Sequence, residues 1–349
     1  MDLERLRAWS YLRQRLAEPA SGPGEALRAV VAVYATHPTA PVALWARTRS
    51  LTAAAYRRLD RDRRALRIPG MRGTAFLAPR NLAPRIFTAV RPPHARVLRS
   101  LKRHDISTGD YERLAERILA AAVRPTRSDG LREAAGIEGP ALGTVLRCLR
   151  YEGRILALAG EPLTSSPHHY VATDAWAPEG LDAGDPSEAL AWLAGAYLDA
   201  YGPARVEDFA WWAGVGKRSA AQAVAASDTV DVGEGLLLPA RHETDFDRVR
   251  RPRGAVDLLP RWDAYTMGHA PDGRSRLVHP DVQQRVYEPI GVGLPGDGNP
   301  VALVEGEAVA TWTFSIKEGA EVQAFDTLGP TIGRKVEERL EAVAGFLAG

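Results

Sequence analysis

Apolar positions recur at helical spacing through most of the chain and give way to alternation near its end. Residues 2–16 and 25–36 each carry one apolar side, the second through Ala26, Leu27, Val30, Val31 and Val33. The breaker Glu18-Pro-Ala-Ser-Gly-Pro-Gly24 separates them. His37-Pro38 stops the second, because proline drives the residue before it away from the helical region. Helices are predicted at 42–49 and 52–63, then a strand at 71–78 that Pro79 closes. Helices followed by a strand is the order of a winged helix. The order returns in a second block. A helix at 108–122 starts with Ser107 ahead of Asp110 and Glu112, two helices at 127–135 and 140–152 flank a glycine turn, and strands follow at 154–159 and 169–173.

A third block repeats the scheme most clearly. Its helix at 188–201 ends at Gly202-Pro203, and residues 206–213 then lead through Gly214-Val-Gly216 into 217–226. Two helices joined by a short glycine-containing turn form a helix-turn-helix, with strands within 230–238 behind it. Alternation takes over at 301–305 and 308–313 around Glu305-Gly306-Glu307, which predicts a hairpin. Pro, Gly and Asp crowd residues 289–300, an irregular connection, and a helix at 332–347 closes a small β-domain. The expected units are therefore 1–93, 94–184, 185–239 and 240–349.

The 349 residues, 45% hydrophobic and 25% charged, suit several buried cores. No stretch approaches 18 consecutive apolar residues and no signal pattern opens the chain, which places it in the cytoplasm with no membrane partner. Cys148, the single cysteine, cannot form an internal disulfide and sits in an apolar helical pattern, so a buried inert thiol is expected. No Cys or His spacing forms a metal site, and no cofactor motif is supported.

Charge changes the picture more. From Arg57 to His104 there are fourteen Arg or Lys against Asp60 and Asp62 alone, a balance of +12, so the net charge of +2 leaves −10 for the rest. Such separation makes a local field suited to a polyanion. It also fits solvated side chains in a chain that carries 41 Arg and four Lys.

Five stretches carry a family resemblance. They are residues 31–47 (Val-Ala-Val-Tyr-Ala-Thr-His-Pro-Thr-Ala-Pro-Val-Ala-Leu-Trp-Ala-Arg), 71–77, 197–214 with Tyr-Gly-Pro and Asp-Phe-Ala-Trp-Trp-Ala-Gly, 258–268 (Leu-Leu-Pro-Arg-Trp-Asp-Ala-Tyr-Thr-Met-Gly) and 304–312. In this order they resemble the winged-helix family that includes the AlkZ and YcaQ DNA glycosylases. The resemblance implies an α+β fold, with tandem winged-helix (helix-turn-helix) domains and a C-terminal small β-barrel around a concave face for double-stranded, damaged DNA. It implies monofunctional excision of alkylated or bulky-adduct purines by water, without metal or cofactor. It also implies that the reacting water is positioned where Tyr34–Thr36 stand here. The family's Gln-x-Gln or Gln-x-Asp is replaced by Tyr34 and Thr36, and Phe76 stands where histidine is expected.

Breaking an N-glycosidic bond requires a group that holds water and support for the charge growing on the sugar. The candidate catalytic residues are Tyr34, Thr36 and His37. Thr36 can orient water, His37 can act as a base when neutral, and Tyr34 can bond a phosphate or stack on a base. The same three also read as core filler, helix-end satisfier and surface residue. Asp263 is either a carboxylate acting across the cleft or a residue that caps a turn or pairs with an arginine. Candidate DNA contacts are Arg47, Arg49, Arg57, Arg58, Arg61 and Arg72, which can neutralise phosphates. Lys217, Arg218 and Ser219 open the second helix of the helix-turn-helix. Trp211 and Trp212 read as packing residues. Two functions stay open: a variant glycosylase, nucleoid-associated when on DNA, and a DNA-binding regulator or lesion sensor without catalysis.

Overall fold

The computed structural model describes residues 2–35, 38–166, 169–289, 296–315 and 317–349. One antiparallel sheet draws strands from both sides of residue 93. Its members are β1 (Val33–Tyr34), β2 (Ala65–Pro69), β3 (Ala75–Pro79), β4 (Thr126–Arg127), β5 (Ile155–Leu158) and β6 (His169–Ala172), in the order β1-β3-β2-β5-β6-β4. Tyr34 and Ile68 flank Phe76 in register, and Arg67 opposite Ala157 joins β2 to β5.

Two expectations need correcting here. The helix predicted through Thr36 spans only Pro23–Ala29; Val31 takes a left-handed φ of 65°, and Val33–Tyr34 pair with β3 at the sheet margin. Over so few residues the apolar spacing fits both periods, and β-branched valines favour a strand. The strand predicted at 71–78 starts as a 3-10 turn, Met71–Gly73, and β2 escapes the sequence pattern because Arg67 interrupts its apolar run. That arginine is buried, where it donates to Asp60 and Tyr56.

Helices Thr108–Ala121, Ser128–Ala135 and Ala141–Tyr151 enclose a core of their own that holds Cys148. Ser107 caps the first, accepting from the Asp110 amide. Burial pushes the Cys148 thiol up, which keeps it an inert packing residue. Helices Pro186–Tyr201, Val206–Ala213 and Lys217–Ala225 pack Leu193, Tyr197, Phe209 and Trp212 against Leu66, Ile68 and Phe87 of the first unit. Strands β7 (Thr229–Asp231) and β8 (Leu237–Pro239) pair behind them.

The last sheet comprises β9 (Val256–Leu259), β10 (Val301–Val304), β11 (Glu307–Ser315) and β12 (Gly319–Ala324), ordered β12-β11-β10-β9. Among the described residues β9 and β12 are opposite edges, so the sheet is open and not the barrel expected. Helix Pro330–Ala348 lies over it, with Val336, Val343 and Phe346 in one core with Leu258, Val301, Trp312 and the N-terminal Leu44 and Trp45. A sheet whose apolar face is covered by helices has no need to close on itself. The chain is a mixed α/β structure, and among the described residues no helix is long and apolar enough to cross a membrane.

Candidate functional site

The site begins at the turn between β2 and β3. Gly70 and Thr74 bond across it, and Arg72 at its tip takes a left-handed φ of 56°. The Tyr151 hydroxyl donates to the Gly73 carbonyl at 2.6 Å and holds the turn from one side. The other side is closed by Gly214, between helices Val206–Ala213 and Lys217–Ala225. Gly214 has φ 75°, and a Cβ added there would lie 2.9 Å from Arg72 Cα. That approach sets the Arg72 guanidinium 4.4 Å from the centroid of Trp211, a cation–π contact.

Arg72 stands between two hollows. The larger is a groove of about 1010 Å³ between residues 89–103, the helix Ala141–Tyr151 and the helix-turn-helix. Arg72, Arg91, Arg96, Arg103 and Arg147 line it, with no Asp or Glu among the described residues that line it. Gly216 and Ser219, at the start of the Lys217–Ala225 helix, also face it, so the positive end of that helix dipole adds to the field. The smaller hollow, about 140 Å³, has Tyr34, Phe76, Trp211 and Trp262 in its walls, with Arg72, Thr74 and Asp297 as polar members. The Tyr34 ring meets Phe76 edge-on at 5.8 Å and lies tilted to Trp262 at 5.0 Å.

A buried ionic network supports these walls. Asp208 accepts from the Arg205 amide at 2.8 Å, the Ala270 amide at 3.0 Å and Arg276 at 2.6 Å. Burial works to raise its pKa, but the neighbouring His269 and Arg276 outweigh that and hold it below the usual carboxylate range. His269, fully enclosed and bonded to the Tyr201 carbonyl, is pushed down by burial to about 4. Arg274 lies between Trp211 and Tyr287, and burial lowers its pKa as well.

Of the residues expected from sequence, Tyr34 and Arg72 meet at the small cavity, and Arg72 and Ser219 meet at the groove. Lys217 and Arg218 are exposed on the first turn beside it. Thr36 and His37 lie outside the described residues. Arg47 is a correction: it is fully buried, with its guanidinium held by both Asp263 oxygens at 2.8 and 2.6 Å and by the Ala43 carbonyl, and cannot reach a phosphate. Asp263 also caps the helix Ala264–Met267 through the Tyr265 amide, so of its two readings the cap or arginine partner is the one found. Arg49, Arg57, Arg58 and Arg61 line neither hollow. Arg57 donates to the Gly349 carbonyl, Arg61 lies beside Asp62, and Arg58 lines a separate hollow with Arg28 and Arg64.

Sequence reasoning did not single out Arg96, Arg103, Arg147, Trp262 or Asp297. The first two lie in the basic run, whose charge was visible although its direction was not. Trp212 packs in the core as expected and also borders the cavity, and Trp211 lines the cavity and carries Arg72.

The family model described as DNA glycosylase AlkZ-like matches residues 27–346. Among solved structures, Streptomyces sahachiroi DNA glycosylase AlkZ is similar with a TM-score of 0.76, covering 98% of this chain and 96% of that one at 18% identity, a likeness of fold. No curated protein sequence matches significantly.

Proposed function

The chain belongs to the AlkZ-like DNA glycosylase family, and from that premise we propose that it grips duplex DNA in the arginine-lined groove and hydrolyses the N-glycosidic bond of alkylated or bulky-adduct purines. The observation that carries this reading is Arg72, which lines both the cationic groove and the cavity that ends at Tyr34. A duplex backbone drawn by the five arginines reaches the cavity mouth at that residue. Lys217, Arg218 and Ser219 take a phosphate at the helix start. In this reading residues 1–93, 94–184 and 185–239 act as winged helices and 240–349 as the β-domain that closes the concave face. Water is the only co-reactant, Tyr34, Thr36 and His37 remain the candidate catalytic residues, and the protein works in the cytoplasm on nucleoid DNA.

One observation favours the second reading, a DNA-binding protein without chemistry. Tyr34 packs its ring between Phe76 and Trp262 where the family's motif has a carboxamide. The deciding experiment incubates the protein with duplexes that carry N3-alkyladenine, N7-alkylguanine or a bulky purine adduct. Free base and an alkali-labile abasic site are expected from at least one of them. Tight binding with every base intact would overturn hydrolysis in favour of the second reading.

A further inference from the structure

We propose that Asp297 supplies the carboxylate of this site, accepting the proton of the attacking water and offsetting the positive charge that grows on the deoxyribose. The inference rests on the hydrolytic reading above. Asp263 cannot play this part, being sealed against Arg47. Asp297 contributes the one carboxylate among the described residues that line the cavity beside Tyr34. The cavity, about 140 Å³, has room for water, and Tyr34, Thr74 and Asp297 offer it polar partners within aromatic walls.

The backbone on either side of Asp297 is tied to those walls. Gly296 donates its amide to the Tyr287 carbonyl at 3.1 Å and accepts from Arg274 at 2.7 Å. On the other side, Gly298 accepts from the Trp262 amide at 3.0 Å, and an added Cβ there would meet Thr266 Oγ1 at 2.9 Å. Asn299 then donates to the Val286 carbonyl at 2.8 Å. The strap that carries Asp297 therefore also fixes Trp262, whose ring packs on Tyr34. Fixed dipoles and charges of this kind stabilise a transition state because they need no reorganisation when it forms.

The step balances with water alone. The water oxygen bonds to C1′ as the C1′–N bond breaks. The bonding pair leaves with the purine, which ring alkylation has made cationic and which departs neutral. The water proton passes to the Asp297 carboxylate and from there to solvent, leaving an abasic site.

The test measures single-turnover base release from duplexes carrying N7-alkylguanine or N3-alkyladenine, together with DNA affinity by fluorescence anisotropy, for wild type, Asp297→Asn and Asp297→Glu. Asp297→Asn is expected to slow release about 10²- to 10⁴-fold, the range of general-base catalysis, with affinity within about twofold, and Asp297→Glu to recover part of the rate. Active wild type with Asp297→Asn and Asp297→Glu equally fast would overturn the role of Asp297 and leave the hydrolytic reading standing. Wild type inert on every lesion would overturn that reading, and this inference with it.

Discussion

Replacing Gly214 by alanine tests whether the helix-turn-helix sets the position of Arg72. Two costs add at that site. Alanine at φ 75° enters the left-handed region, which costs roughly 1–2 kcal/mol. Its Cβ would also fall 2.9 Å from Arg72 Cα and 3.0 Å from Arg72 N, both backbone atoms, so the Arg72 turn has to move. Movement weakens the hydrogen bond from Tyr151 to Gly73, worth about 1 kcal/mol. The sum is about 2–3 kcal/mol, or roughly a 30- to 150-fold drop in the folded-to-unfolded ratio. Gly216, two residues on, is the control. It has φ −66° as a helix N-cap and nothing within 4 Å of an added Cβ, so Gly216→Ala should cost under about 1 kcal/mol. Urea unfolding followed by circular dichroism measures both, provided the slope with denaturant is unchanged. DNA affinity should fall for Gly214→Ala. A Gly214→Ala protein within about 0.5 kcal/mol of wild type, or a Gly216→Ala protein equally damaged, would refute the reasoning.

Two further expectations concern charge. Arg103→Ala with Arg147→Ala should weaken duplex binding for all sequences alike and flatten the dependence of log affinity on log salt by about two, one for each phosphate no longer neutralised; an unchanged slope would move DNA away from this groove. His269 is held neutral by burial at about 4 instead of 6.5, so the folded state binds fewer protons than the unfolded chain between those values. Its contribution is present above pH 6.5 and is lost as pH falls towards 4. His269→Gln should lose that decline in urea midpoint, and parallel pH curves for the two proteins would count against it.

Local rules made much of the fold legible. The Ser107 cap, the stop at Gly202 and the break between two helices at Gly214 follow from interactions within a few residues, and the structure has them in place. The failures arose where distant partners decide. Residues 30–34 carry a valine pattern that fits either period, and pairing with β3, some forty positions away, selects the strand. Arg47 looks like any other arginine in sequence; its partner Asp263 is 216 positions away and makes it an internal residue. The cavity was harder still. Tyr34, Arg72, Trp211, Trp262 and Asp297 come from five segments, and no spacing rule joins them.

Two buried ion pairs bear directly on that assembly. Arg47 with Asp263 ties the first unit to the C-terminal segment, and Asp208 with Arg276 ties the helix-turn-helix to the same segment. Such pairs contribute little net stability, because desolvation offsets most of the attraction and apolar packing would serve as well. Arg47, however, sets two N–H···O bonds on the Asp263 carboxylate, and Asp208 takes one from Arg276 and one from the Ala270 amide, arrangements that admit a narrow range of relative orientations. Trp262 lies next to Asp263, and Arg274, which holds Gly296 beside Asp297, lies two residues before Arg276. The ion pairs thus orient one cavity wall against Tyr34 and Phe76 and the other against Trp211 and Arg72. Apolar packing alone, being non-directional, would leave that wall free to slide by the fraction of an ångström that separates a held water from a loose one.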